Sequence, residues 1–451
     1  MTHPGQSTTS SKPPLLGVAP EHSPDHPGNR EAVDTVAKES DADVHGRDMP
    51  PRGLGRRGAF WASASVLSLA LWSSGAPSVL YPIYAEQWAL TPAVVTAVFA
   101  TYQLAIVIVL PLFGSLSDQI GRRLVMIWGV ALIAGSAIIF AIAPNVAFLF
   151  VGRALQGAGT GLAIGAASAS LVENNISRHP RFASSLATIA TATGLTLALV
   201  LSGVLAQLAP MPLFWSYLVL LVLAVATVVA LAATPKDRPI HAPRWRPQAL
   251  RIAPGLRVAF VTATLSVSLA YCVGAIFLSV GAHMIRQFNT EGALVAGVLL
   301  GCSSAAIGVT ALLLARVPAH VGVWVGALLT TVSVAVMAIA AASESIALFL
   351  VWCLIGGIAY SFAFTGGLGL INRAVPERYR GGTLSLLYLC AYLLQGATAL
   401  GVGALATVSG MGMAISVAAA TLAGLCVVVL GLMVIDVRAR RSKTHRVASL
   451  R

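Results

Sequence analysis

Twelve runs of mostly apolar residues, each about as long as a bilayer is thick, constrain this chain more than any other feature. A helix needs about 20 apolar residues to cross the hydrocarbon core of a membrane. The runs cover residues 58–84, 92–113, 124–143, 146–171, 182–208, 213–233, 257–281, 293–315, 321–342, 346–371, 382–407 and 411–435. Because lipid offers the backbone no hydrogen-bond partner, runs of this length must be helical. The sequence therefore predicts an all-α integral membrane protein with twelve transmembrane helices.

The placement of charge gives the expected orientation. The chain is 57% hydrophobic and 10% charged, far below the roughly 25% charged residues of soluble domains. Its net charge of +13 is concentrated in alternate connections between the runs, and the intervening connections hold only Arg286 among basic residues. This is the positive-inside pattern of a protein in the cell (inner) membrane with both termini in the cytoplasm. The basic balance is then a signal of topology, and nucleic acid is not an expected partner.

The runs divide into two halves of six. A proline-rich, basic stretch separates them, and residues 200 apart match in several places, among them Gly157 with Gly357 and Gly203 with Gly403. Parallel repeats of this kind place a substrate site between the halves near the middle of the membrane. The predicted domains are a disordered cytoplasmic tail (1–57), an N-terminal six-helix bundle (58–233), a cytoplasmic linker (234–256), a C-terminal six-helix bundle (257–436) and a basic cytoplasmic tail (437–451).

A polar turn joins the second and third runs and reads GSLSDQIGRR over residues 114–123. Its two glycines are expected to permit a tight turn. Asp118 is expected to accept hydrogen bonds from a helix N-terminus, with the start of the eleventh run as the candidate, and Arg122 to pair with Glu173. The alternative is a solvated turn whose arginines only set the topology. The predicted conformational latch consists of Gly114, Asp118, Gly121, Arg122, Arg123 and Glu173.

This turn resembles the loop signature of the major facilitator superfamily, with one departure at Gln119, where that family usually has a basic residue. The resemblance extends over all twelve runs. It implies two pseudo-symmetric six-helix bundles and secondary transport.

A second motif, Arg153-Ala-Leu-Gln156-Gly157, resembles the Arg-x-x-Gln-Gly signature of drug:proton antiporters and related exporters. Arg153 lies about 10 Å inside its helix, where a charge usually faces a partner or a cavity. The resemblance implies proton coupling or substrate contact for Arg153 and Gln156. The alternative is an arginine that extends outward or bonds to carbonyl groups. Gly157, Gly161 and Gly165 form a small-residue ridge suited to close helix packing, either static or sliding.

The fifth run departs from the antiporter pattern. Gly194 and Gly203 are kept, whereas Ala198, Leu199 and Ser202 stand in place of glycine, proline and glycine. The ridge of small residues survives and the proline does not. An exporter therefore remains the leading hypothesis, with its assignment to the antiporters proper in question.

Polar and amphipathic side chains near the middle of the runs are candidates for a cavity lining. They are Trp72, Gln103, Tyr271, Tyr360, Tyr392 and Gln395. For each of them, packing or helix-to-helix hydrogen bonding is an equal alternative. Tyr81, Tyr84 and Trp88 are expected instead in the interfacial belt of the membrane. Because no run has Asp or Glu at its middle, the cavity is expected to favour neutral or anionic amphiphiles.

These observations predict a secondary active transporter, with proton-coupled efflux of small amphipathic molecules by alternating access. A proton-coupled importer of sugars or organic acids with the same fold is the alternative, and a transporter-like sensor is a third hypothesis. The runs hold no grouping of nucleophile, base or metal ligands, so an enzyme is not expected, nor any cofactor or metal. The expected partners are a small-molecule substrate, protons and the bilayer, and the chain is expected to be a monomer.

Overall fold

The computed structural model describes residues 54–179, 181–236, 252, 255–288 and 292–448. Most of the predicted N-terminal tail and of the linker lies outside these residues. Within them, twelve helices are long and apolar enough to cross a membrane. They are α1 (Gly55–Gln87), α2 (Pro92–Phe113), α3 (Arg122–Ala141), α4 (Val146–Glu173), α5 (Arg181–Leu208), α6 (Pro212–Ala232), α7 (Arg257–Gln287), α8 (Ala293–Leu313), α9 (Ala319–Ala342), α10 (Ile346–Ala374), α11 (Glu377–Ser409) and α12 (Met411–Ala448).

Helix ends follow local capping chemistry. Thr91 accepts a hydrogen bond from the Val94 amide at the start of α2, and Pro92 occupies the first turn, where its missing amide hydrogen costs nothing. Asn145 caps α4 in the same way. Most ends agree with the apolar runs to within a few residues, but α7 continues to Gln287 and the helical backbone of α12 to Ala448. Helical hydrogen bonding therefore extends beyond the apolar segment at these ends.

The two halves repeat the same helix pairings. In the first half, α1 packs on α4 and α5, α3 on α4 and α6, and α2 on α4. In the second half, α7 packs on α10 and α11, α9 on α10 and α12, and α8 on α10. Adding six to each helix number converts the first set into the second. The prediction of two pseudo-symmetric six-helix bundles is thereby confirmed.

Most of the contact between the bundles is made by three helix pairs: α2 with α11, α5 with α8, and α1 with α7. The first two pairs are related by the repeat. Glycines permit close approach here, since a Cβ on Gly203 would lie 3.0 Å from the Gly297 Cα. We call the face at which α1 and α7 end the distal face; the charge pattern predicts that it lies outside the cytoplasm.

The small-residue ridge of α4 is only partly used for packing. A Cβ on Gly157 would overlap the Tyr102 carbonyl oxygen of α2, and one on Gly161 would lie 3.2 Å from a Val109 methyl group. A Cβ on Gly165 would have no atom within 4 Å. The ridge therefore contacts α2 through Gly157 and Gly161 and leaves Gly165 open.

Candidate functional site

The polar turn between α2 and α3 contains a short helix, Ser117–Ile120, which ends at Gly121. Gly121 has φ 98° and ψ 145°, a backbone conformation that favours glycine. Gly114 has φ −57°, an ordinary helical value, so the conformational freedom of glycine is not used at this position. One glycine, at residue 121, is sufficient for the change of direction into α3.

Arg122 links the turn to α4. Its Nη2 and Nε lie 3.0 and 3.3 Å from Glu173 Oε1, and its Nη1 donates to Ser117 Oγ at 2.6 Å. The same guanidinium pairs with Asp118, whose side chain is 56% exposed. Arg123 Nη2 donates to the Ala232 carbonyl oxygen at the end of α6 at 2.6 Å. These contacts attach the turn to its own bundle, and docking of Asp118 on the start of α11 stays a prediction for another conformation.

Arg153 lies fully buried within the first bundle. Its Nη1 donates to the Ser74 carbonyl oxygen of α1 at 3.2 Å and to Gln156 Oε1 at 3.1 Å. In the same turn of α1, the Ser73 carbonyl oxygen lacks its usual helical hydrogen bond, because residue 77 is a proline and has no amide hydrogen to donate. The alternative of an arginine bonded to a carbonyl group is therefore observed, and the guanidinium does not extend to the membrane surface.

Three aromatic rings surround the Arg153 guanidinium. Its central carbon lies 5.5 Å from the ring centroids of Tyr81 and Phe99, and 5.3 Å from that of Tyr102. Cation–π contacts at desolvated sites stabilise by roughly 2 kcal/mol each. No carboxylate lies among the described contacts of this arginine. Its charge is thus held by ring faces and dipoles and is not neutralised by an acid.

Sequence reasoning missed these rings. Tyr81 and Tyr84 are 1% exposed, so their assignment to an interfacial belt was wrong. Tyr84 packs instead beside Trp88, with ring centroids 5.1 Å apart. The usable signal was the position of Tyr81 one helical turn beyond Pro77, on the same helix as the carbonyl that Arg153 reaches.

A second aromatic cluster lies in the other bundle, where it brings together three of the predicted cavity residues. The Tyr271 ring centroid lies 4.9 Å from that of Tyr392, 6.2 Å from that of Tyr360 and 6.0 Å from that of Phe364. Tyr360 and Tyr392 are half-buried, whereas Tyr271 is 8% exposed. Phe364 was not predicted, although its spacing of four residues from Tyr360 places both on one face of α10.

The remaining predicted cavity residues are not members of this ring cluster. Trp72 packs in the apolar core of the first bundle. Gln103 lies where α2 meets α11, because a Cβ on Gly396 would stand 3.8 Å from the Gln103 Cβ. Gln395 is the residue before that glycine. The Oε1 atoms of both glutamines are buried and have no hydrogen-bond partner among the described residues.

Two repeated six-helix bundles that meet mainly along three helix pairs, with a buried cation and polar side chains at mid-depth, define a multi-pass membrane transporter. The sequence model of the Major Facilitator Superfamily matches residues 63–397. The chain belongs to this superfamily. It is a secondary active transporter for small molecules and not an enzyme.

Individual relatives are more distant. The chain is 30% identical over 181 residues to the inner membrane transport protein YajR of Escherichia coli K12, a match that covers 39% of this chain and 38% of that protein. Its fold resembles the nucleoside transporter NupG, solved as a mutant, with TM-score 0.69, 13% identity, and 84% and 99% of the two chains covered. It also resembles a bacterial homologue of the human lysosomal transporter Spinster in an inward-facing conformation, with TM-score 0.62, 14% identity and 84% and 95% coverage.

Proposed function

We propose that this transporter exports small amphipathic molecules, neutral or anionic, in exchange for protons by alternating access. Its place is the inner membrane, with both termini in the cytoplasm. The observation that carries the proposal is the exporter-like motif of α4: Arg153 and Gln156 are bonded to each other, and Gly157 lies against α2. The motif thus forms one connected unit with α1 and α2.

The charge preference follows from the electrostatics of this unit. The guanidinium of Arg153 places a positive charge inside the first bundle, where the side chain is fully buried. A buried positive charge with no carboxylate among its described contacts raises the local potential, which disfavours a second cation and favours an anion. The aromatic cluster around Tyr271 and the amide oxygens of Gln103 and Gln395 supply apolar surface and hydrogen-bond acceptors for the rest of the cargo.

Proton entry supplies the driving force in this proposal. Each unit charge that crosses inward gains about 2.3 kcal/mol per 100 mV of membrane potential. The contacts of Arg122 and Arg123 with α4 and α6 make the 114–123 turn move with the first bundle. Asp118, exposed on this turn, is then available as a latch for the second bundle in the other conformation.

We propose the domain boundaries predicted from the sequence, with the bundles at 58–233 and 257–436, and a monomer as the working unit. The two halves contain complete sets of helix pairings, so each site is complete within one chain.

A proton-coupled importer of sugars or organic acids is the second candidate. It is favoured by α5, which runs unbroken over Arg181–Leu208 with buried Leu199 at the position of the antiporters' proline. A helix without proline keeps its hydrogen bond there and lacks the kink of the exporter pattern.

Proteoliposomes loaded with fluorescent probes distinguish these functions. The probes are anionic 1-anilino-8-naphthalenesulfonate, neutral N-phenyl-1-naphthylamine and cationic ethidium. With acid outside, an antiporter is expected to release the anionic and neutral probes faster than probe-loaded liposomes without protein do. It is expected to retain ethidium. Uptake of a probe together with protons would favour the importer, and flux that ignores the gradient would contradict proton coupling.

Matched variants test the roles of individual residues in the same assay. Arg153→Lys keeps the charge and loses the planar guanidinium, so we expect it to lose most of the gradient-driven flux. Arg316→Lys, at an exposed position after α8, is the control with the same substitution. Asp118→Asn is expected to abolish the flux while leaving protein yield unchanged. Full flux in Asp118→Asn would contradict the latch.

A further inference from the structure

Among the described residues, three polar contacts join the two bundles at the distal face. Glu86 Oε2 of α1 lies 2.6 Å from Arg286 Nη2 of α7. Gln207 Oε1, at the end of α5, accepts a hydrogen bond from the Leu294 amide of α8 at 3.1 Å. Thr407 Oγ1, at the end of α11, accepts one from the Ala93 amide of α2 at 2.9 Å.

The repeat relates these contacts to each other. Glu86 and Arg286 are 200 residues apart, as are Gln207 and Thr407. The two amides that are bound both belong to the second residue of their helices, α2 and α8. The fifth helix of each bundle therefore caps the second helix of the other bundle, and the ion pair lies at corresponding positions of α1 and α7.

Each capped helix receives an acceptor from outside its own bundle. The first four amides of a helix have no acceptor within the helix. Gly292, which precedes α8, has no side chain and so cannot cap it. A Cβ on Gly292 would stand 2.8 Å from Gln207 Oε1, so the glycine also makes room for the glutamine. On α2, Thr91 bonds to the Val94 amide and leaves the Ala93 amide to Thr407.

Backbone contact lies beneath both caps. A Cβ on Gly203 would be 2.8 Å from the Ala293 carbonyl oxygen of α8, and one on Gly403 would be 2.8 Å from the Pro92 carbonyl oxygen of α2. These glycines are again 200 residues apart. Because α5 and α11 touch the first turns of α8 and α2 through glycine, a separation of the bundles here breaks the caps as well.

We propose that the two crossed caps are the closing contacts of a distal gate, made when the bundles meet at this face and released when they part. The inference rests on the alternating access of the proposed function and on neither its cargo nor its coupling ion. The caps are exposed, as the ion pair is, but each lies beside a close glycine contact between the bundles. The carboxylate of Glu86 is 71% exposed and the Arg286 side chain 47% exposed, and exposed pairs of this kind contribute little.

Hydrogen exchange of the full-length protein in lipid nanodiscs, without substrate, tests the gate. The variants Thr407→Val and Gln207→Leu each remove one cap. Loss of a helix cap shifts a two-state equilibrium by about fivefold. Because both first turns open together when the gate opens, either variant is expected to speed exchange about fivefold in peptides covering residues 92–96 and in those covering 292–296. The double variant is expected to speed exchange about 25-fold, because the free-energy contributions of the two separate caps to the closed gate add.

Three comparisons decide the outcome. Thr421→Val is the control: Thr421 bonds to the carbonyl four residues earlier, as Thr407 also does, but it is exposed on α12 and caps no helix of the other bundle. Glu86→Gln is expected to change exchange by less than twofold. Acceleration only in the helix that lost its own cap, or in neither helix, would overturn the gate. Since no cargo is present, failure of the transport assay does not affect this result.

Discussion

Replacement of Gly157 by alanine tests the packing of the exporter-like motif. The new Cβ would overlap the Tyr102 carbonyl oxygen and lie 2.8 Å from the Ala105 Cβ, about 0.6 Å inside the 3.4 Å at which ordinary contact begins. A backbone oxygen cannot rotate away, so α2 must move from α4. Overpacking of this kind costs about 1–3 kcal/mol. Movement of α2 also draws Phe99 and Tyr102 away from Arg153.

Gly165→Ala is the matched control on the same helix, because its Cβ would have no atom within 4 Å. Both substitutions stabilise the helix by the same amount, about 0.5–1 kcal/mol, because alanine has a higher helix propensity than glycine. The difference between the two variants therefore isolates the packing cost. We expect the free energy of unfolding of Gly157→Ala to be about 1–3 kcal/mol below that of Gly165→Ala.

The assay is a denaturant titration in mixed micelles, read by tryptophan fluorescence, with probe flux measured on the same preparations. Gly165→Ala should be at least as stable as the wild type and transport at the wild-type rate. Equal stability of the two variants would refute the close approach of α2 to α4. Loss of flux in both variants would instead show that the ridge must slide, a hypothesis the static contacts do not require.

Three further predictions concern the turn and the aromatic cluster, each read as a free energy of unfolding. Gly121→Ala should lose about 1–3 kcal/mol because φ is 98° and ψ 145° there, whereas Gly135→Ala, with open space around its Cβ, should lose nothing. Glu173→Gln should lose less than about 1 kcal/mol, because its carboxylate is half-exposed, and a larger loss would mean a buried network. Tyr271→Ala should lose about 3–5 kcal/mol, whereas Tyr271→Phe, which keeps the ring contacts, should lose far less; equal losses would contradict the packing role.

Much of the fold was predictable because each transmembrane helix carries its own information. The apolar run 92–113 matches α2 residue for residue, and ten other helices begin within three residues of the predicted position. The exception is α11, which begins at Glu377, five residues before its apolar run. A search for apolar runs does not detect the first turn of a helix when that turn is made of polar residues.

The candidate site was predictable only in part. The geometric pairing of Arg122 with Glu173 was expected because both residues lie at the same face, and the structure contains it. The rings around Arg153 were not expected: the position of Tyr81 beyond Pro77 was a signal for α1, but the sequence does not state which face of α2 turns toward α4. The repeat of 200 residues is visible in the sequence. The ion pair between Glu86 and Arg286 is not, because it depends on the ends of α1 and α7 lying side by side.

The sequence by itself determined the number of helices, their approximate bounds and the division into two halves. In lipid, a backbone must satisfy its hydrogen bonds within each segment, so local apolar length decides where a helix exists. The tertiary structure alone decided which glycines touch another helix, what surrounds Arg153 and which helices cap each other across the bundles. These depend on the rotation and crossing of whole helices, which close packing over many residues sets jointly.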